Sequence, residues 1–242
     1  MKIRLDKLLV NRQLVATRQK AQAMIGAGQV YVNDMLADKA GSMFQIDCNI
    51  EIKGSGCPYV SRGGFKLARG LEYFNINPAG YVCADIGAST GGFTDCLLQN
   101  GADRVYAVDV GYGQLAWELR QDPRVVVMER TNARLLKPGD IPEPLNLAVI
   151  DSSFISLKLI IPPLLVFFAD QPSILALIKP QFEAGKGKVG KGGVIRDPHL
   201  HQEIIDDILR FGSGLGLRSS GVVESPILGP KGNREFLVHF FA

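Results

Sequence analysis

The 242-residue chain lacks the features that mark several large classes of protein. Its four cysteines and three histidines form no Cys-x-x-Cys pair and show no metal-ligand spacing, so we expect no metal site. The longest apolar run, residues 159–169, contains two prolines and is far shorter than the ~20 residues that span a bilayer. No apolar leader opens the chain. These absences predict a cytoplasmic protein with reduced thiols and no membrane partner.

The chain also has little net charge, +3 at neutral pH, but that charge is unevenly distributed. Residues 1–60 hold eight basic and five acidic side chains, whereas residues 61–242 hold nineteen of each. Six of the basic side chains fall within the first twenty residues, beside a single acidic one. A local cationic excess is typical of a small module that faces nucleic acid, although any short segment can carry a few extra lysines.

The start of the chain has the pattern of a small α+β module. Apolar residues recur at helical spacing in two stretches between residues 4 and 28, and Thr17 is placed to cap the second helix. Strands are expected at residues 30–34, running into a turn, and at residues 50–52. The stretch Gly54-Ser55-Gly56-Cys57-Pro58 predicts a hinge.

Beyond the hinge, strand and helix patterns alternate, which predicts a mostly parallel sheet with helices on both faces. The last two strands are joined by a loop at residues 229–233, which predicts an antiparallel edge. We predict strands near residues 81–86, 104–109, 125–129, 145–151, 173–179, 217–224 and 235–241, and helices near residues 64–74, 92–100, 114–121, 156–169 and 199–211.

The most informative segment joins the first of these strands to its helix. Residues 84–94 read Ala-Asp-Ile-Gly-Ala-Ser-Thr-Gly-Gly-Phe-Thr, so the glycines follow Gly-x-x-x-Gly-Gly rather than the dinucleotide pattern Gly-x-Gly-x-x-Gly. Glycine lets a ligand approach the backbone closely. Asp85 would repel a pyrophosphate but suit a sulfonium cation. We interpret the segment as an S-adenosylmethionine (SAM) site, and an ordinary strand-to-helix turn is the alternative.

A second acid supports this interpretation. Asp109 follows the next strand, 24 residues after Asp85, where a carboxylate can accept hydrogen bonds from both ribose hydroxyls. Asn132 is a polar candidate for the adenine wall, although asparagine in a loop often serves only the turn. The predicted cofactor-binding residues are Asp85, Gly87, Ser89, Gly91, Gly92, Phe93, Asp109 and Asn132.

Four ionisable residues lie at the ends of predicted elements. Asp151 and Lys179 each follow an apolar strand directly, and Glu235 begins one. Lys66 lies near the start of a helix, where the helix dipole disfavours a cation. Residues that follow parallel strands meet at one edge of the sheet, above the cofactor. For each of the four taken alone, a structural salt bridge is the alternative.

The N-terminal pattern resembles the S4 RNA-binding domain. The likeness rests on Arg4-Leu5-Asp6, Thr17-Arg18 and the stretch Gly28-Gln29-Val30-Tyr31-Val32-Asn33. Asp6 is expected to order the basic side chains around it. The expected RNA-binding residues are Arg4, Lys7, Arg12, Arg18, Lys20 and Arg62, and a solvated surface charge is the alternative for each one alone.

The rest of the chain resembles the FtsJ-like RNA 2'-O-methyltransferases. Lys66, Asp151, Lys179 and Glu235 match their Lys-Asp-Lys-Glu tetrad in order and context. With the phrases Ser-Arg-Gly-Gly-x-Lys-Leu, Asp-Ile-Gly-Ala-Ser-Thr-Gly-Gly-Phe-Thr-Asp and Ile-Lys-Pro-Gln-Phe-Glu, the chain from residue 3 onward resembles the TlyA family, whose members are often labelled haemolysin A.

This resemblance implies a Rossmann-like, SAM-dependent methyltransferase domain at residues 61–242, an S4-like domain at 1–56 and a linker at 57–60. It implies methylation of a cytidine 2'-hydroxyl in ribosomal RNA, with the tetrad catalytic and Lys179 acting either as the general base or only as an electrostatic orienter of the hydroxyl. The compact termini resemble shorter members that modify the large-subunit 23S site, and a 16S site is the further option. The junction Cys57-Pro58-Tyr59-Val60 lacks the Arg-x-Trp-Val of some members.

Two other functions are alternatives to an RNA methyltransferase: a non-catalytic RNA-binding factor and a pore-forming haemolysin. An RNA-binding factor without catalysis would not need the intact glycine turn and all four tetrad residues. A pore-forming haemolysin would need a spanning or strongly amphipathic segment, which the sequence does not predict.

The loop 185–193 holds three lysines among its glycines and is either a solvated loop or a lid that grips the RNA backbone. It does not match a phosphate-binding loop.

Overall fold

A computed structural model describes residues 2–33, 35–52, 57–185, 189–190 and 192–242. The chain divides into two compact units, one ending at Arg62 and one beginning at Gly63, called here the first and second units. The predicted hinge at 54–58 falls largely outside the described ranges, and so do all three lysines of the loop at 185–193. The domain limits drawn from the sequence therefore stay a prediction.

The first unit packs two helices against short strands. Thr17 caps the second helix, as predicted, because its side chain accepts a hydrogen bond from the Lys20 backbone N–H. The first strand pairs antiparallel with the fourth, and the third, second and fifth form another antiparallel sheet. The elements are β1 (Lys2–Arg4), α1 (Leu5–Asn11), α2 (Arg18–Gly26), β2 (Val30–Val32), β3 (Met35–Leu36), β4 (Met43–Gln45) and β5 (Ile50–Ile52).

The helical stripes of the first unit form its core. Leu5, Leu9 and Ala21 are fully buried, and Ile25 is nearly so. The predictions of both helices and of β2 and β5 are confirmed. The strands β1, β3 and β4 were not predicted, because they lack the pair of β-branched residues, two positions apart, that marks β2 (Val-Tyr-Val) and β5 (Ile-Glu-Ile).

The second unit is an α/β fold. Its elements are α3 (Gly63–Tyr73), β6 (Val82–Ile86), α4 (Gly92–Gln99), β7 (Arg104–Val108), α5 (Trp117–Gln121), β8 (Val125–Met128), β9 (Leu147–Ile150), α6 (Leu157–Leu164), β10 (Ser173–Ile178), α7 (Pro180–Glu183), α8 (Pro198–Gly214), β11 (Arg218–Glu224) and β12 (Phe236–Phe241). In the described part of the chain, seven strands form one sheet in the order β11-β12-β10-β9-β6-β7-β8.

The sheet confirms the predicted class and its antiparallel edge. Strands β6 to β10 run parallel, while β12 pairs antiparallel with both β10 and β11. The predicted helix at 156–169 is shorter than expected. It ends at Leu164 and continues as a 3₁₀ turn, and Pro162 and Pro163 explain this because they remove two backbone donors. The short helix α7 was not predicted.

The register of β12 brings its first residue to the functional edge. Because β12 is antiparallel to β10, Phe236 at its start pairs with Ile178 at the end of β10. The residue before β12 therefore lies beside the residue after β10. The loops that follow β6, β7, β9 and β10 leave the sheet at this same carboxyl edge.

Candidate active site

Four charged side chains from distant parts of the sequence meet at the carboxyl edge. Lys66 Nζ, on α3, lies 2.6 Å from Glu235 Oε2 and 3.8 Å from Asp151 Oδ2. Asp151 Oδ1 lies 2.5 Å from Lys179 Nζ. The tetrad is thus a row of alternating charge, in the order glutamate, lysine, aspartate, lysine.

The row is largely shielded from water. Lys66 is 8% exposed, Lys179 5% and Glu235 1%, whereas Asp151 is half-buried. A buried ion costs several kcal/mol in lost hydration unless a partner of opposite charge compensates it. Two cations and two anions at these distances balance each other, so the arrangement can hold charged groups ready in a dry site.

Lys179 has further partners that sequence reasoning missed. Its Nζ donates hydrogen bonds to the Ser153 Oγ at 3.0 Å and to the Asp151 backbone carbonyl at 3.3 Å. These contacts fix the ammonium group in one place at the strand end. The only sequence signal for Ser153 was its position two residues after Asp151, the acid that follows a strand. That position alone does not show where the Ser153 side chain points.

A cavity of about 460 Å³, called here the edge cavity, lies at the same edge. Its walls come from the loops that follow β6, β7, β8 and β9, and Asp151 of the tetrad is part of them. Of the predicted cofactor-binding residues, Gly87, Ser89, Asp109 and Asn132 line it.

Gly87 and Asp109 shape the wall of the edge cavity. Gly87 has a φ of +88°, and a Cβ at that position would lie 3.0 Å from the Asp151 carbonyl oxygen, so only glycine fits without strain. The Asp109 carboxylate accepts the backbone N–H groups of Ser89 at 2.8 Å and Gly111 at 2.7 Å. Those bonds hold the acid in the cavity wall with acceptor capacity to spare.

The other predicted cofactor residues lie beneath the turn instead of in the cavity wall. Asp85 is fully buried, and its Oδ2 accepts hydrogen bonds from the Thr94 N–H and hydroxyl, at 2.9 and 2.7 Å. Gly91 has a φ of +95°, and a Cβ there would overlap Leu119. Phe93 is buried in α4, which Gly92 begins. Their direct contact with a cofactor stays a prediction, and their observed role is to shape the turn.

The Asp85 carboxyl is electrostatically unusual. Burial raises its pKa to about 7, the negative charge of Asp151 acts in the same direction, and the Thr94 hydrogen bonds oppose the shift. Its Oδ1 has no hydrogen-bond partner among the described residues. A cationic ligand nearby would favour the ionised form. The edge cavity has the carboxylates of Asp109 and Asp151 in its wall, so it fits a ligand that is cationic at one end and carries hydroxyls at the other, as SAM does.

An exposed aromatic residue stands next to the tetrad, and the sequence prediction did not include it. Phe154 is 89% exposed, lines the edge cavity and has a φ of +64°, which is rare for a bulky residue. Its ring lies 4.9 Å from that of Phe182, which follows Lys179 by three residues. Backbone strain held beside a reactive site usually serves function.

In the first unit, the predicted RNA-binding residues fall into two groups. Arg4 and Arg18 are ion-paired with Asp6 at 2.9 and 2.8 Å, and these partners hold the pKa of this buried carboxyl well below its usual range. The prediction that Asp6 orders its basic neighbours is confirmed. Lys7 and Lys20, in contrast, are exposed.

The remaining basic candidates of the first unit are partly engaged with the protein. The Arg12 guanidinium donates to the backbone carbonyls of Cys48, at 2.7 Å, and of Ile46. Arg62 is half-buried at the end of the unit. Arg12 therefore ties α1 to the segment before β5, which limits its reach toward a phosphate.

The described residues contain neither a metal-binding cluster nor a membrane-spanning helix. Within the described ranges, no three His, Cys, Asp or Glu side chains group in a way that could hold a metal ion. Cys83 and Cys96 are buried thiols, as predicted, and burial raises the pKa of Cys83 to about 12. None of the helices among the described residues is long and apolar enough to cross a membrane.

Comparison with known proteins identifies both units. Residues 59–241 match the model of FtsJ-like methyltransferases, and residues 3–46 match that of the S4 domain. The chain is 48% identical to the 16S/23S rRNA (cytidine-2'-O)-methyltransferase TlyA of Mycobacterium tuberculosis, over 97% of this chain and 88% of that protein.

Two further relatives carry a different label. The chain is 41% identical to Hemolysin A of Brachyspira hyodysenteriae, over 98% of this chain and 99% of that protein. A solved structure from Streptococcus thermophilus, also named a hemolysin, matches with a TM-score of 0.78 at 43% identity, over 99% of this chain and 88% of that one. On this sequence and fold evidence, the chain belongs to the TlyA family of SAM-dependent RNA 2'-O-methyltransferases, in which an S4 domain precedes an FtsJ-like methyltransferase domain.

Proposed function

We propose that this protein methylates the 2'-hydroxyl of a cytidine ribose in ribosomal RNA, and that the tetrad is its catalytic group. One observation carries the proposal: Asp151 belongs both to the buried row of charges and to the wall of the edge cavity. A hydroxyl held at the row therefore lies next to whatever fills the cavity. The name of the M. tuberculosis relative, with cytidines of 16S and 23S rRNA as its targets, supports this substrate.

The chemistry requires a positioned hydroxyl and an acceptor for its proton. SAM, when bound, supplies an activated methyl group on a sulfonium sulfur. We assign Lys179 to hold the ribose hydroxyl and, after its ammonium group has released a proton to solvent, to take the hydroxyl proton. Asp151 and Ser153 fix the Lys179 Nζ, which is the kind of positioning that makes intramolecular reactions fast. Lys66 and Glu235 fix Asp151 from the other side.

Phe154 suits the recognition of an unstacked base. Sequence-specific proteins often stack a splayed-out RNA base on an aromatic side chain. Such stacking is worth about 1–3 kcal/mol per base. The exposed ring at the rim of the edge cavity, supported by Phe182, offers that platform beside Lys179. We assign it to the base of the target nucleotide.

Asp109→Ala is expected to weaken SAM binding by about 1–3 kcal/mol, or roughly 5- to 150-fold in Kd, because charge-assisted hydrogen bonds to the ribose are lost. Calorimetry with SAM measures this directly. Asp103→Ala is the matched control, since Asp103 is an exposed acid at the opposite end of β7. Unchanged SAM affinity in folded Asp109→Ala would show that the ribose is held elsewhere.

The S4-type unit is proposed to hold the RNA backbone through its exposed lysines. Lys7→Gln combined with Lys20→Gln should lower RNA affinity at low salt and reduce the slope of log K against log salt by about 1.5, since each phosphate contact contributes roughly 0.7–0.9. SAM affinity should not change. Lys39→Gln, an exposed cation of the same unit, is the control. An unaltered slope in the double variant would place the phosphate contacts on other residues.

The function itself is tested by mapping ribose methylation in both ribosomal RNAs. Mass spectrometry should find a cytidine 2'-O-methyl group that is present with the wild-type gene and absent without it. A gene encoding Lys179→Ala should fail to restore it. If no ribose methyl group in 16S or 23S RNA depends on the gene, the proposal is wrong. We also propose a cytoplasmic location, because the proposed substrate is ribosomal RNA.

A further inference from the structure

The loop that precedes β12 passes directly over the carboxylate of Glu235. A Cβ built on Gly229 would overlap Oε1 and Cδ of Glu235 and lie 3.1 Å from its Cγ. Real side chains do not reach such distances, so a residue larger than glycine would have to displace either the loop or the acid. Glu235 Oε1 has no hydrogen-bond partner among the described residues, and its other oxygen binds Lys66.

The backbone conformation does not explain a glycine here. Gly229 has φ −73° and ψ −175°, which any residue can adopt. Elsewhere in this unit, at Gly87 and Gly91, a positive φ already requires glycine. At position 229 the requirement is space alone, and the space is occupied by a carboxylate of the tetrad.

The loop 229–233 is held in place by hydrogen bonds at Asn233, so it cannot move away from Glu235 easily. The Gly229 N–H donates to the Asn233 carbonyl at 2.8 Å. The buried Asn233 side chain donates to the Gly193 carbonyl at 3.0 Å and accepts the Ile195 N–H at 3.1 Å. Its amide is therefore satisfied as donor and acceptor by a separate segment. A methyl group at position 229 would push against the Glu235 side chain rather than against a free loop.

We propose that Gly229 is a positioning residue, which acts by letting the backbone press the Glu235 carboxylate toward Lys66. The inference rests on the proposed role of the tetrad. If Glu235 is displaced, Lys66 loses its partner at 2.6 Å and Asp151 loses the fixed neighbour on which its own place depends. The effect reaches the reacting atoms through three side chains, without any contact between Gly229 and substrate.

The first test is Gly229→Ala. Single-turnover methylation should slow roughly 100-fold, as expected for an ångström-scale displacement of a catalytic group. Kd for SAM and Kd for RNA should stay near wild type, while the melting temperature should fall modestly, because Lys66 loses its nearer partner but keeps Asp151. Gly214→Ala is the matched control, because Gly214 has an ordinary φ and open space around it, and it should leave the rate unchanged. A Gly229→Ala protein with a wild-type rate would overturn the inference.

A second variant separates positioning from general damage. Glu235→Asp shortens the acid by one methylene and empties the Oε1 position, which is the point nearest to the new methyl group. Gly229→Ala should therefore cost only about threefold when added to Glu235→Asp, against roughly 100-fold alone, which is the non-additivity of residues in contact. Equal losses in both backgrounds would contradict the inference. If Glu235→Gln is fully active, the tetrad proposal fails instead, and the two failures are thereby distinguished.

Discussion

Lys179→Ala is expected to abolish methyl transfer while the chain stays folded and still binds SAM and RNA. The Nζ of Lys179 is held by Asp151 and Ser153 at the end of β10, so its contribution arises only when the hydroxyl reacts. After the substitution Asp151 keeps Lys66 at 3.8 Å. The loss of stability should therefore stay below the roughly 3–5 kcal/mol of an uncompensated buried charge.

Two measurements decide the role of Lys179, thermal melting and single-turnover methylation. Lys179→Arg is the informative companion, because a guanidinium keeps the positive charge but stays protonated and is too broad for a point contact. It should fold and fail to turn over. A stable Lys179→Ala protein with near-normal turnover would remove Lys179 from the catalytic group. A chain that unfolds would favour a structural ion pair.

Asp151→Asn is expected to lose both stability and activity. Asp151 is the anion that the two lysines share, and Lys179 has no other ion-pair partner among the described residues. Lys66 keeps Glu235. A buried ammonium left without a counter-charge should destabilise the fold by about 3–5 kcal/mol. Turnover should fall by at least 100-fold, since Lys179 loses the contact that positions it.

Denaturant melts and single-turnover assays check the Asp151 prediction. Asp207→Asn is the control, because the Lys158–Asp207 pair is far more exposed than the tetrad and should be worth no more than about 1 kcal/mol. If Asp151→Asn melts like that control, the two lysines are compensated by groups other than Asp151, and the charge balance described for the tetrad is wrong.

The positions of the tetrad residues were predictable because parallel strands share one carboxyl edge. Asp151 and Lys179 each follow a buried strand, and that alone places them side by side. Glu235 lies at the same edge because the last strand, β12, is antiparallel to β10 and therefore starts where β10 ends. The strands themselves were visible as short apolar runs, so most of the large sheet was confirmed.

The direction in which each side chain points was not predictable from the sequence. It accounts for most of the differences between the predicted and the observed site. Asp85 is the fourth of the five residues of β6, so the alternation of side chains along a strand turns it onto a buried face beneath α4. Asp109 follows the end of β7 and lines the cavity. The two acids looked equivalent in the sequence. Likewise, no sequence pattern indicates that Gly229 rests on Glu235, since that contact depends on how a loop folds back.

The strand order has a consequence for biosynthesis. β11 is made before β12 but pairs only with β12 among the described strands, and β12 inserts between β11 and β10. A nascent chain translated as far as Glu224 already contains the edge-cavity residues, together with Lys66, Asp151 and Lys179, but not Glu235. Its sheet can grow to β10 and no further. The emerging chain can thus form the walls of the edge cavity before its tetrad is complete, and the tetrad is completed only when the final hairpin is inserted.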